Sequence, residues 1–186
     1  MEHHISTTPS AHSTKSDSSV FVEPEDQRKL NGRWVLWAHL PHDTDWSVRS
    51  YKTIFEFSTV EEACALIANI PDAMIQNCML FIMRQGIDPL WEHPRNRKGG
   101  SFSYKVATSR TPDSWRELVI RLVGETITKT SQIGDTINGV TISPKRNFCI
   151  MKIWLSGCTH QNPKIISPMQ NIQPVGCLFK RHSPEY

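Results

Sequence analysis

Two tryptophans sit among turn-forming residues, and their surroundings suit recognition chemistry. Trp46 lies in LPHDTDWSV and Trp91 in DPLWEHP, with Glu92 following Trp91 directly. An indole in a loop is costly to leave in water, so it either folds back to cap a sheet or presents its face to a ligand. Two such indoles with a carboxylate beside one of them favour the second use. Parallel indoles can sandwich a flat ring, with stacking worth about 1–3 kcal/mol per base. A positive charge on the ring, as on a purine alkylated at N7, adds about 0.5–2 kcal/mol of cation–π attraction. A carboxylate at the ring edge can accept two parallel donors, and guanine presents such a pair in N1–H and N2–H where adenine does not. A phosphate tail would need basic groups nearby. Lys145 and Arg146, ahead of the strand bearing Trp154, could supply them.

Other chemistries find little support. The chain has no GxSxG, P-loop, GxGxxG or HExxH, and no pair of carboxylates in a recognisable setting. Cys158-Thr-His160 could offer two metal ligands, but nothing nearby in sequence offers two more. The five cysteines form no CxxC pair, which argues against a disulfide framework and for a reducing compartment. No metal, cofactor or catalytic role is therefore expected.

The elements that must position the tryptophans are visible as changes of period. RWVLWAHL and SYKTIFEFS read as strands, and Trp34 and Trp37 face opposite ways in the first, so at least one should be buried. Ser58 to Glu61 has the spacing of a capping box, opening a helix with Val60, Ala63, Cys64 and Ile67 on one face. CMLFIMRQG reads as a buried strand. Thr111-Pro112 starts a second helix whose apolar stripe is Trp115, Leu118, Val119, Leu122 and Val123. Asn138-Gly139 has the composition of a hairpin turn. Strands follow around VTIS, FCIMKIWL and VGCLFK. Strands with interspersed helices and a hairpin signal predict an α+β domain, a curved antiparallel sheet with helices on one face.

Residues 1–28 are Ser-, Thr- and His-rich without hydrophobic period and read as a disordered tail, leaving 29–186 as one domain. Residues 1–28 carry a formal charge of −3 and the rest +6, so the folded body should attract anions. No apolar run approaches the roughly 20 residues that cross a membrane.

The order of NGRWVLW, the Trp46 loop, EFSTVEEA, GIDPLWE with NRKGG, SWRELVIRLVGE and KIW resembles the messenger-RNA cap-binding translation initiation factors of the 4E class, from about Leu30 to Leu155. The resemblance implies helices on the convex face of the sheet and a cap slot on its concave face. Trp46 and Trp91 would stack on 7-methylguanine, Glu92 would read the guanine edge, and Trp154 would lie near the methyl group. Lys145 falls where the family carries a phosphate-binding Arg. Asn147 and Ser101 replace basic residues that the family often uses, so the phosphate grip would be weaker or rebuilt from Arg146, Lys98, Arg97 or the C-terminal Lys180-Arg181. By position, Arg95, Arg97 and Lys98 would form a solvated steering surface rather than direct ligands. On the convex face, Val60, Cys64, Arg116 and Ile120 lie where a partner docks, but Cys64 replaces the family's Trp and Arg116 a Leu. Pro163 and Pro168 argue against a long helix after Trp154. The resemblance implies a divergent, monomeric, cytoplasmic paralogue that binds capped mRNA and a scaffold factor of the 4G class or another 4E-interacting protein. A protein-interaction adaptor or translational repressor with altered cap binding is the alternative.

Overall fold

The strands alternate between two apolar faces, and each face needs its own cover. The computed structural model describes Met1 and residues 27–183. One sheet is built from β1 (Lys29–His39), β2 (Tyr51–Thr59), β3 (Met79–Arg84), β4 (Gly100–Ala107), β5 (Ile137–Pro144), β6 (Phe148–Leu155) and β7 (Leu178–Arg181), in spatial order β2-β1-β3-β5-β6-β4-β7. All neighbours are antiparallel. The helices are α1 (Val60–Asn69), α2 (Asp72–Asn77), α3 (Thr111–Val123) and the single turn α4 (Ser131–Gly134). This is the expected α+β architecture.

β3 shows how the two faces divide. Leu80 and Ile82 join the main core with Trp34, Trp115, Leu118 and Leu122, beneath the helices. Phe81 and Met83 point the other way and join Tyr51, Ile87 and Trp154 in a smaller cluster, against which Trp37, Leu90 and Trp91 pack. Trp34 is buried in the first cluster and Trp37 is half-buried against the second, as their opposite facing requires. The residues beneath the helices therefore supply the stability, and the second cluster supplies a floor for the loops on the open face.

Four sequence expectations are corrected, on the capping box, the packed face of α1, the Asn138-Gly139 turn and the last strand. The capping box sits one residue later. Thr59 Oγ1 accepts from the Glu62 amide at 3.2 Å, and the Glu62 carboxylate accepts from the Thr59 and Ser58 amides at 3.1 and 2.7 Å. Ser58 is still a strand residue, since β2 runs to Thr59. The packed face of α1 accordingly shifts to Ala63, Leu66 and Ile67, and Cys64 is exposed. Asn138-Gly139 is not a turn but lies inside β5, at a register shift opposite β6. The glycine is needed for close approach, because a Cβ there would come within 2.3 Å of the Ile82 carbonyl oxygen. The β5–β6 turn falls at residues 145–147, closed by the Lys145 amide donating to Phe148 O at 2.8 Å.

The last strand is shorter than expected, covering only Leu178–Arg181. Between β6 and β7 the chain makes one three-residue 3₁₀ turn, Pro163–Ile165, consistent with the prolines there. Most of the tail expected over residues 1–28 lies outside the described residues.

Candidate functional site

The Trp46 loop is braced by short local hydrogen bonds. Asp45 accepts from the Ser47 amide and hydroxyl, both at 2.8 Å, and these bonds hold its carboxyl below the usual range. The Asp45 amide donates to Asp43 Oδ1 at 2.9 Å. His39, buried near the end of β1, donates from Nε2 to Asp45 O at 2.9 Å. Its imidazole lies parallel to Trp46, centroids 4.3 Å apart and planes 3° apart. One face of Trp46 thus rests on a fixed ring, while 56% of the residue remains exposed.

The Trp91 loop is organised by two buried asparagines. Asn96 donates from Nδ2 to Asp88 O at 3.0 Å and Leu90 O at 2.8 Å, tying both sides of the loop together. Asn138 donates to Arg95 O and Asn96 Oδ1, both at 2.8 Å, anchoring the loop to the β5 bulge. The double glycine that closes the loop serves packing. A Cβ on Gly99 would come within 1.8 Å of Leu155 O, and one on Gly100 within 2.5 Å of the Phe179 ring. Only glycines allow β4 to enter between β6 and β7 there.

These loops meet over the open face of the sheet. Trp46, Trp91, Glu92, Tyr51, Lys152 and Trp154 are among the residues lining a cavity of about 340 Å³. Burial, with the Glu92 carboxylate second, pushes the Tyr51 hydroxyl up to about 12, so it stays neutral beside that carboxylate. Trp154 is 3% exposed and its Nε1–H has no partner among the described residues. Sheet register sets the cationic side. Thr141 pairs with Lys152, and Gly139, Trp154, Ser101 and Lys180 fall in one cross-strand row, next along the same face. The Lys152 and Lys180 ammonium groups lie over the Trp91 ring at 5.5 and 5.3 Å from its centroid. Burial lowers the Lys152 pKa, and repulsion from Lys145 and Lys180 lowers it further. The lining therefore offers aromatic faces, one carboxylate and the Lys152 ammonium, with Lys180 beside it over Trp91, a combination suited to a flat ring carrying an anionic tail.

Of the residues named from sequence, Trp46, Trp91, Glu92 and Trp154 come together around this cavity. Lys145 and Arg146 are exposed in the β5–β6 turn and do not line it, although Lys145 acts on Lys152 electrostatically. Arg95, Arg97 and Lys98 are exposed in the Trp91 loop. Lys152 and His182 were not singled out from sequence. The available signal was alternation: Lys152 is two residues from Trp154 in β6, and His182 two from Lys180 at the end of β7.

The other sequence-named group lies across the sheet, on α1 and α3. Ile120 is 54% exposed, Cys64 is exposed and Val60 is partly covered. Arg116 donates to Ile67 O and Ile70 O, both at 3.3 Å, and pairs with Asp72. Its guanidinium therefore satisfies carbonyls at the end of α1. Cys158 Sγ lies 3.1 Å from Gly99 O, and among the described residues no group of three His, Cys, Asp or Glu is gathered as for a metal ion.

The sequence model of the family described as eukaryotic initiation factor 4E matches residues 29–176. The chain is 28% identical over 173 residues to a eukaryotic translation initiation factor 4E of Candida glabrata, covering 89% of this chain and 75% of that protein. It is 47% identical over 138 residues to a eukaryotic translation initiation factor 4E homolog of Acanthamoeba polyphaga mimivirus, covering 62% of this chain and 50% of the relative. Among solved structures, a complex of a C. elegans initiation factor 4E-3 with the 4E-binding protein Mextli and a cap analog matches with a TM-score of 0.64 at 26% identity, over 72% of this chain and 77% of that one.

Proposed function

This chain belongs to the eukaryotic initiation factor 4E family, and from that membership we propose that it binds the 7-methylguanosine cap of mRNA in translation initiation or its regulation. The observation that carries the reading is the convergence of Trp46, Trp91, Glu92 and Trp154 on one cavity. Trp46 and Trp91 stack on the two faces of the methylated guanine. Glu92 accepts N1–H and N2–H, and the Trp91 amide reaches O6. Trp154 closes the slot beside the methyl group. The phosphates lie toward the lysines. Lys145 and Arg146 contribute from the β5–β6 turn, and the inward position of Lys152 and Lys180 supports their sharing that role. Such a protein acts in the cytoplasm by binding rather than by catalysis.

Retention on immobilised 7-methyl-GTP with elution by 7-methyl-GTP but not by GTP is expected. Equal elution by GTP would overturn the charged-ring stacking. Glu92→Ala should abolish retention, since hydrogen bonds to a charged group are worth about 1.5–3 kcal/mol. Normal retention by that variant would remove Glu92 from the site.

A partner of the 4G class or another 4E-interacting protein is proposed for the α1–α3 face, around Val60, Cys64 and Ile120. Cys64 and the engaged Arg116 favour a partner that does not rely on a large aromatic anchor on this chain. The same observation favours a second reading, an adaptor or repressor that recruits protein without cap dependence. A pull-down performed with and without competing 7-methyl-GTP separates the two.

A further inference from the structure

The last strand delivers a histidine to the back of the slot. The His182 amide donates to Gly99 O at 2.9 Å, which continues the β4–β7 pairing past Arg181. Its side chain is only 6% exposed. The imidazole lies near-parallel to Trp91, centroids 5.6 Å apart and planes 16° apart, and tilted against Trp154 at 4.7 Å. It is thus shared between the two indoles of the cap reading that are not on the Trp46 loop. His182 Nδ1 lies 2.8 Å from Asn96 O, and a carbonyl only accepts, so Nδ1 carries the proton. Nε2 is then a bare lone pair, buried and without a partner among the described residues.

The surroundings are built for a neutral ring. From the Trp91 loop it meets the Trp91 indole and the Asn96 carbonyl. From β6 it meets Trp154, and the Lys152 ammonium repels its charged form. On its own strand, Lys180 sits over Trp91. A second proton on Nε2 would add a donor with no acceptor and a third cation beside an indole that already carries two. Burial is the largest influence and lowers its pKa; the hydrogen bond to the Asn96 carbonyl opposes this, and Lys152 lowers it further, so the net shift is below the usual histidine value.

We propose that His182 is a positioning residue of the slot: its neutral imidazole holds Trp91 and Trp154 in register for the ligand, and its protonation weakens binding of a positively charged, methylated guanine. The proposal rests on the cap-binding reading for its ligand. Its two consequences are separable. The C-terminal strand becomes part of the binding device, because it carries both Lys180 and His182. Methyl selectivity becomes pH-dependent, because an imidazolium behind Trp91 opposes the cationic ring but not the neutral one.

The test compares wild type with His182→Phe, which keeps a flat ring against both indoles and cannot be protonated. Affinities for 7-methyl-GTP and GTP are measured from about pH 7.5 down to about pH 4.5, well below the ordinary histidine value of ~6.5, because the buried ring takes up its proton late. The ligand's own N1–H ionisation is common to both proteins and cancels in their ratio. Wild type should lose 7-methyl-GTP affinity relative to His182→Phe by roughly three- to tenfold at the acid end, the span of an opposed cation–π contact. The loss for GTP should be smaller. Parallel profiles for the two proteins would overturn the proposal. Should His182→Phe fail to fold, or wild type fail to bind 7-methyl-GTP at about pH 7.5, the free wild-type protein decides. In the second case the cap reading itself falls, separately. The Trp91 indole N–H resonance should then move with the His182 ring titration, and a flat Trp91 resonance through that titration would overturn the positioning role.

Discussion

Lys152 illustrates how one side chain can serve the ligand at the expense of the empty protein. Its ammonium is withdrawn from water and repelled by Lys145 and Lys180, which lowers its pKa. The folded state therefore holds the proton less firmly than the unfolded state, whose lysine value is about 10.4. Stability tied to this group rises as pH climbs from the lowered folded value toward about 10.4, and below that window the charge is a standing cost. Lys152→Met should raise the melting temperature of the unliganded protein, by about 2–4 °C for each kcal/mol relieved in a domain of this size. The same change should weaken 7-methyl-GTP binding and reduce the salt slope of log affinity by about one. A variant that loses stability as well as affinity would show that the ammonium stabilises the empty site, contrary to this account, because Met retains an apolar stem of similar length. The sequence pattern gave access to this residue only through its two-residue spacing from Trp154. Nothing in its type distinguishes a slot lysine from the exposed Lys145, because facing depends on register with β5 and β4.

Among the elements, the Trp91 loop carries the most information that a linear reading misses. Trp91 and Glu92 were legible because their types are unusual in a loop. The residues that hold them were not. Asn138 looked like half of a hairpin turn, since Asn-Gly is common there, yet it spends its amide donors on Arg95 O and Asn96 Oδ1 from inside β5. Asn96, not singled out from sequence, is fully buried. Leaving the Asp88 and Leu90 carbonyls unpaired should cost about 1–3 kcal/mol, so Asn96→Ala should lower chemical-denaturation stability by that amount. It should also weaken cap binding beyond what global unfolding explains, while Asn69→Ala, a change at an exposed residue on α1, should do neither. Equal effects of the two changes would remove the asparagine brace. The helices are the opposite case. The stripe on α3 was read directly because Trp115, Leu118, Val119 and Leu122 follow its period, and all are buried. The start of α1 was misplaced by one residue because Ser58 and Thr59 are both competent caps, and only the length of β2 decides between them.

In the molecule as a whole, the sheet divides its labour between faces. The helical side holds the main core, and the open side holds a smaller cluster that continues into Trp91, Trp37 and Leu90. Substitutions beneath the helices should therefore act through stability, and those in the second cluster through ligand affinity. The α+β class and six of the seven strands were readable, because alternation and helical period are local, but β4 (Gly100–Ala107) was not anticipated from sequence. The pairing β6-β4-β7, which carries Lys180 and His182 to Trp91, is non-local and has no signature in any one segment. His182 also links the whole fold to pH. Its folded pKa is lowered, so the unfolded state takes up a proton first as pH falls below about 6.5. Stability should drop between that point and the lowered folded value, then level off with respect to this group. In His182→Phe that portion of the acid loss in melting temperature should vanish; an unchanged loss would assign it to other groups.

The central claim is that Trp46 and Trp91 grip a methylated, positively charged guanine whose edge is read by Glu92. Titration of intrinsic tryptophan fluorescence with 7-methyl-GTP and with GTP tests it most directly. Saturable quenching is expected with at least about fivefold tighter binding of the methylated nucleotide, in keeping with a cation–π gain of about 0.5–2 kcal/mol at each indole face. Indistinguishable titrations with the two nucleotides, or none with either, would contradict it.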